Sequence, residues 1–444
     1  MKKSNSYLEG NVKKILFSNS LTMIFGVSAS FAFNFIDTLF VAKLGTLELA
    51  AITFTFPIVF IVIGISMGIG IGVSSIVSRA YGANDLDKVK RITKDSMFFS
   101  FLIALAFVLI SFIFFEDIFI LMGAEEKTLP YIKDFMFIWY FGVVFIAISI
   151  IGNSVFRALG NTRESSMIMV VSAITNLILD PIFIFGYSFI PFMGIKGAAL
   201  ATLIGRFLSF VITLYLLNKK YKLLDFSLPK FQTFKESIKE VMYIGLPSAL
   251  TNILVPLGMA IVISLVAKYG QVAVGAIGAT GRIEMLTVSV FIALGSVLGP
   301  FIGQNWGANN KSRIISALKI SYIFCFIWGI IVYLLFLIFK HEIAIFVKDD
   351  IHIVEYMTII LGISPMAICF KGVIMISSTT LNILKKPLIA SMITIFQMFV
   401  VFIPMAYLLS SYYGFKGILY SSVLSAVFVS FGAFYFLRKN VRLL

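Results

Sequence analysis

Histidine and cysteine are scarce in this chain, with two of each among 444 residues. Cys325 and Cys369 both sit in apolar runs, which argues against a disulfide framework. His341 and His352 have no metal-ligand spacing around them and read as solvated. Charge is scarce as well: Asp, Glu, Lys and Arg make up 13% of the chain, against 60% hydrophobic residues. A soluble protein of this length needs far more polar surface. No Ser-His-Asp arrangement, metalloprotease helix or nucleotide-binding loop occurs, so neither an enzyme nor an ATP-driven pump is expected, and no cofactor. Gly64, Gly68, Gly70 and Gly72 imitate a phosphate-binding loop, but no Lys-Ser or Lys-Thr follows. They are read as small-residue helix packing.

What the chain has instead is apolar runs of about 20 residues or more, recurring along its whole length. They predict an all-α polytopic membrane protein. Twelve spans are expected, near 15–42, 49–78, 95–115, 131–156, 165–187, 196–217, 240–267, 274–303, 317–339, 354–378, 388–410 and 415–437. Met1-Lys-Lys is followed by polar residues and no small-residue cleavage site, so the first run is expected to be retained. The formal net charge is +15, which in a soluble protein would point to nucleic acid. Here the excess lies in loops. With the N-terminus inside, about 25 lysines and arginines fall on inside loops and about 8 on outside ones. Both termini are therefore expected in the cytoplasm of a cell (inner or plasma) membrane, with the basic loops facing anionic lipid and no nucleic acid as partner.

The one long polar linker lies at the midpoint, and the halves around it repeat. Val41-Ala-Lys-Leu-Gly45 matches Val266-Ala-Lys-Tyr-Gly270, and Tyr81-Gly-Ala-Asn84 matches Trp306-Gly-Ala-Asn309, both at an offset of 225. Ile195-Lys-Gly197 matches Phe415-Lys-Gly417 at 220. The expected organisation is an N-terminal lobe over 1–217 with spans 1 to 6, a cytoplasmic linker over 218–239 and a C-terminal lobe over 240–444 with spans 7 to 12. An even number of spans per half makes the repeats parallel, as in transporters.

Charges inside spans are expensive, about 2.5–3.5 kcal/mol for a carboxylate at a helix centre. Asp37 in span 1 and Asp180 in span 5 are such charges. Asn176 lies four residues before Asp180 and shares its face. Thr202 in span 6 sits at the same depth, about 10 Å below the outer surface at 1.5 Å per residue. Carboxylate, amide and hydroxyl oxygens suit a hard cation such as Na+, or a proton held between two acids. Projected by 225 residues, Asp37 falls on Val262, Asn176 on Val401 and Asp180 on Met405. The architecture accepts apolar residues there, so the acids are assigned to function. Pro181 removes a backbone donor directly after Asp180 and is a candidate hinge. Arg206 is a candidate to neutralise Asp180. In the second half, Glu284 and Lys371 are expected to pair between spans, while Arg282 points to another face. Asn34, Tyr140, Arg206, Arg282, Glu284 and Lys371 are further candidates for substrate binding or coupling.

Asp37-Thr-Leu-Phe-Val-Ala-Lys-Leu-Gly45, Tyr81-Gly-Ala-Asn84, Arg157-Ala-Leu-Gly-Asn-Thr162, the Asn176–Gly186 segment and Gly194-Ile-Lys-Gly-Ala-Ala-Leu-Ala-Thr202 together resemble the MATE (multidrug and toxic compound extrusion) transporters, specifically the DinF-like branch. The resemblance implies a V-shaped pair of pseudo-symmetric six-helix lobes. It implies export of cationic, amphipathic small molecules in exchange for Na+ or H+, by a protein expected to act as a monomer. Asp37, Asn176, Asp180 and Thr202 then hold the coupling ion. The NorM-like branch uses acids in spans 7 and 10; here span 7 has none and span 10 carries Lys371. A lipid-linked saccharide flippase of the same superfamily is the alternative, for which Arg206, Arg282 and Lys371 would meet phosphates.

The topology is checked by cysteine labelling. Cysteines placed at 225 and 440 are expected to react only from inside, and those at 125 and 349 from outside. Labelling of position 225 in intact cells by an impermeant reagent would refute the arrangement.

Overall fold

The structure, a computed structural model, describes residues 7–442 apart from 189, 226, 228, 348 and 349. The side chains of Asn34, Thr46 and Arg442 are likewise not described. Lys2, Lys3, Asp349 and the Asn34 side chain, all invoked above, therefore lie outside the described residues. Among the described residues no strand forms; a single bridge pairs Tyr187 with Ile190. Everything else of regular structure is helical, as a bilayer demands, since a helix satisfies its own backbone polar groups.

The first half contributes α1 (Val12–Ala42), α2 (Thr46–Gly82), α3 (Leu86–Ile113), α4 (Phe115–Leu121), α5 (Leu129–Ala158), α6 (Thr162–Phe185) and α7 (Ile195–Tyr215), the last extended by a π-turn over Leu216–Lys220. The second contributes α8 (Phe231–Val266), α9 (Gln271–Gly307), α10 (Lys311–Val347), α11 (Ile351–Ile363), α12 (Ile368–Ile383), α13 (Pro387–Ile395), α14 (Ile403–Tyr413) and α15 (Phe415–Arg442). Among the described residues, twelve helices are long and apolar enough to cross a membrane. They are the twelve expected, with several ends extended; α10 covers 311–347 where the apolar run reads only 317–339. Two spans are not single α-helices. The tenth breaks at a 3₁₀ turn over Ser364–Ala367, where Pro365 supplies no amide hydrogen. The eleventh passes through a π-segment over Phe396–Phe402, just before Pro404.

The chain forms two compact units, Leu21–Ala249 and Leu250–Leu444 together with Met1–Ser20. Within the first, α5 packs against α2, α3 and α7 and is apolar on nearly every face. Small residues set the approach. A Cβ on Gly68 would stand 2.5 Å from that of Ala249, and one on Gly72 would stand 2.4 Å from the Val241 carbonyl. The start of α8 thus lies directly against α2, and the Lys88–Glu240 ion pair, 2.9 Å, fixes its end. Gly70 faces Ser154 of α5 instead. The glycine run is a packing surface, as its spacing predicts.

The second unit repeats the arrangement with different chemistry. Position 88 corresponds to Arg313, whose guanidinium donates to the carbonyls of Gly10 (2.8 Å), Tyr7 (3.1 Å) and Glu9 (3.2 Å). Asn305 donates a further bond of 3.0 Å to the Tyr7 carbonyl, and Tyr7 itself is fully buried beside Phe301. Cys325 and Cys369 are both free thiols. Each fills the space beside a glycine, Gly372 and Gly329 respectively.

The glycine contacts give a paired test. Gly72→Ala is expected to lower stability by about 1–3 kcal/mol, because the new methyl meets a backbone carbonyl that cannot move aside. Gly278→Ala in α9, where nothing stands within 4 Å of the added carbon, is expected to raise it by about 0.5–1 kcal/mol. Thermal unfolding in detergent reads both.

Candidate functional site

Helix ends position the first-half site. Asp37 lies five residues before Ala42, where α1 ends, and Asp180 five before Phe185, where α6 ends. Thr202 lies seven residues after Ile195, where α7 begins. At 1.5 Å per residue the three stand about 8–10 Å inside one end of the bundle. Asp180 is fully buried and Asn176 is 2% exposed; Asp37 and Thr202 are half-buried.

Hydrogen bonding at this site is one-sided. The Asn176 amide donates to the Ser172 carbonyl at 2.7 Å, one turn back on α6. That bond leaves its Oδ1 free. Oδ1 of Asn176, both carboxylate oxygens of Asp180 and Oδ1 of Asp37 are buried, and none has a hydrogen-bond partner among the described residues. Four acceptors thus find no donor there. Buried polar atoms are seldom left so, and carboxylates least of all. The two carboxylates interact electrostatically with each other. Arg206 interacts with Asp37. The guanidinium is drawn to the α5 side, over the face of Trp139 at 4.8 Å from its centroid and against Gly142. Its Nη1 is buried without an acceptor.

Gly205 is a member of the site that the sequence reading missed. A Cβ there would stand 2.3 Å from the Asn176 amide nitrogen. The missing side chain lets α7 close on α6 at the level of Asn176. Its only signal is its place between Thr202 and Arg206, which a pattern of polar residues does not highlight. Pro181 lies inside α6, which remains helical through it to Phe185.

The repeat-related region of the second half is a cavity of about 290 Å³. Val262, the counterpart of Asp37, lines it, and so does Ser422, the counterpart of Thr202 at offset 220. Met398 and Phe402 of the π-segment enclose its apolar side. Its charge comes from elsewhere: Glu284 of α9 and Lys371 of α12 form the expected ion pair, with side chains 22% and 33% exposed. Arg282 is exposed. Tyr140 is buried in the first unit between Phe112 and Trp139, at centroid distances of 5.0 and 6.3 Å. It lies in the core of the first unit. No group of three or more His, Cys, Asp or Glu residues able to hold a metal occurs among the described residues.

Twelve apolar helices in two repeats, with acids set inside the spans, define a multi-pass membrane transporter rather than an enzyme. The sequence profile of the MatE family matches residues 22–182 and 247–408, and the chain belongs to that family. It is 32% identical over 439 residues to the FAD transporter of Shewanella oneidensis, covering 99% of this chain and 97% of that one. It is 28% identical over 372 residues to a probable multidrug resistance protein, YoeA, of Bacillus subtilis, covering 83% and 80%. The crystal structure of the Vibrio cholerae MATE transporter VcmN in its bent form superposes with a TM-score of 0.91 at 27% identity, covering 97% of each chain. Ion coupling is typical of this family, and its substrates are small molecules.

The second-half pair is open to a double-mutant cycle. Glu284→Gln and Lys371→Gln are each expected to cost about 1–2 kcal/mol by leaving a partner charge unanswered. The double change is expected to cost clearly less than the sum of the two. Additive losses in thermal unfolding would show that the contact contributes nothing.

Proposed function

We propose that the protein is a secondary antiporter that exports organic cations and drugs in exchange for one Na+ or H+. Two lobes, 1–217 and 240–444, would alternate access about the linker 218–239, in a monomer with both termini in the cytoplasm of the cell membrane. The supporting observation is the set of four buried oxygens without donors on Asp37, Asn176 and Asp180. Two carboxylates and the Arg206 guanidinium leave a net charge of −1, since −2 + 1 = −1. One further positive charge balances the site. Na+ would take the carboxylate, amide and Thr202 hydroxyl oxygens as ligands, whereas a proton would sit on one carboxylate and be shared with the other. Either would relieve the repulsion between the acids, and bending of α6 at Pro181 is the proposed response. The substitution of these acids by Val262 and Met405 in the second half supports a functional rather than an architectural origin. The same acids align the chain with the DinF-like branch.

A second reading has an anionic substrate, a flavin dinucleotide. The likeness to the FAD transporter favours it. A lipid-linked saccharide flippase would share the need for cations and fits the acids of the first half less well.

Proteoliposomes with Na+ and H+ gradients imposed separately test the coupling. Asp37→Asn and Asp180→Asn are each expected to abolish gradient-driven efflux of an organic cation while still inserting normally. Val262→Ala and Met405→Leu are expected to leave its ion dependence unchanged. Efflux by both aspartate variants at the unmutated rate would remove this site from the mechanism. Loading with FAD in place of the organic cation separates the two substrate readings.

A further inference from the structure

The segment between the two halves runs past α3 and closes a cavity of about 530 Å³. Five cations line it, Lys90, Arg91, Lys94, Lys222 and Lys230, with two acids, Asp95 and Asp225. Among the described residues only one of these cations is engaged. Lys94 donates to the Ser227 hydroxyl at 3.2 Å and lies 3.7 Å from Asp225. The Ser227 hydroxyl and amide donate to Asp225 at 2.6 and 3.1 Å, and these bonds hold its carboxyl below the usual carboxylate range. Asp225 is therefore ionised and committed to Lys94. The side chains of Lys90, Arg91, Lys222 and Lys230 make no hydrogen bond or ion pair with the described residues, and Nε of Arg91 is buried without an acceptor.

Three further features separate this cavity from an ordinary basic surface. Lys222 is held at φ 52°, a left-handed conformation that a residue with a Cβ keeps only where its surroundings compel it. Asp95 is 1% exposed, and its Oδ2 accepts no hydrogen bond. Of the α3 cluster the repeat keeps only Lys94, as Lys319: Lys90 falls on Ile315, Arg91 on Ser316 and Asp95 on Ile320. The fold therefore accepts other residues at these α3 positions.

We propose that this cavity binds a phosphate ester carrying a hydroxyl or amine donor beside its phosphate. The guanidinium of Arg91 and the ammonium groups of Lys90, Lys222 and Lys230 supply charge-assisted hydrogen bonds to the phosphate oxygens. The free oxygen of Asp95 requires a donor, which a fully ionised phosphate lacks. A glycerol phosphate group meets both demands. The cavity lies where α3 begins, at Leu86, and where the π-turn after α7 ends, at Lys220. That is the depth of lipid headgroups, so the ester can come from phosphatidylglycerol or from a soluble glycerol phosphate. The proposal is independent of the coupling site.

The test uses the full chain and a variant, Lys90→Gln/Lys222→Asn/Lys230→Gln, whose asparagine tolerates the left-handed backbone. Native mass spectrometry of both proteins in nanodiscs compares retention of phosphatidylglycerol, phosphatidylmethanol and phosphatidylcholine. Phosphatidylmethanol has the charge of phosphatidylglycerol and no donor. Calorimetry in detergent measures glycerol 3-phosphate. The unmutated protein is expected to prefer phosphatidylglycerol to both other lipids, and the variant to bind it about tenfold more weakly. Glycerol 3-phosphate binding that the variant loses would assign a soluble source; phosphatidylglycerol binding alone would assign the membrane. Failure of both probes to bind, or equal binding by both proteins, overturns the proposal. Equal retention of phosphatidylglycerol and phosphatidylmethanol removes the role of Asp95.

Discussion

A carboxylate carried into a bilayer has to be answered by positive charge or by a proton, and the first half of this protein is arranged around that demand. Asp180 is wholly buried, Asp37 is within its electrostatic reach, and their buried oxygens find no donor among the described residues. Arg206 offsets part of the charge but is held on Trp139 of α5. Even the backbone serves the same end. Gly205 lets α7 close on α6, and the Ser172 carbonyl turns the Asn176 amide so that its oxygen is left free. Two carboxylates this close in a low-dielectric interior repel each other when both are ionised.

The internal repeat shows what the fold needs and what it does not. Close glycine contacts recur in both halves: Gly197 lies on the Phe183 carbonyl, and its counterpart Gly417 lies on that of Leu409. The acids do not recur. At the related place the second half has Val262 and Ser422 around a cavity, and takes its charge from Glu284 and Lys371 on other helices. Packing is shared between the copies, and electrostatics is where they have diverged.

Much of this was legible in the sequence because hydrophobic length and lysine distribution are strong signals in a membrane protein. The twelve spans, the acids, the Glu284–Lys371 pair and the glycine packing surface all follow from residue type and spacing. What escaped has a common origin, since it depends on where a helix faces rather than on what it contains. Arg206 reads as a partner for a buried acid, and the structure sets its charge beside Asp37 with the guanidinium over Trp139 of α5. Tyr140, a candidate for substrate binding or coupling, is packed between Phe112 and Trp139. The π-segment at Phe396–Phe402 and the 3₁₀ turn at Ser364–Ala367 leave the apolar pattern intact, so hydropathy cannot reveal them. Gly205 has no side chain to notice.

The carbonyls of Tyr7, Glu9 and Gly10 find their donors on Asn305 and Arg313, between 298 and 306 residues further along the chain. This has a consequence for biogenesis. At about 5–20 residues per second, the ribosome needs roughly 15–60 s to deliver those donors after the N-terminal segment itself has emerged. Throughout that interval the first residues synthesised wait for their last contacts. The compact unit Leu21–Ala249 needs nothing made after residue 249, whereas the other unit needs both ends of the chain. A chain that ends before Asn305 would lack these donors for its own first residues.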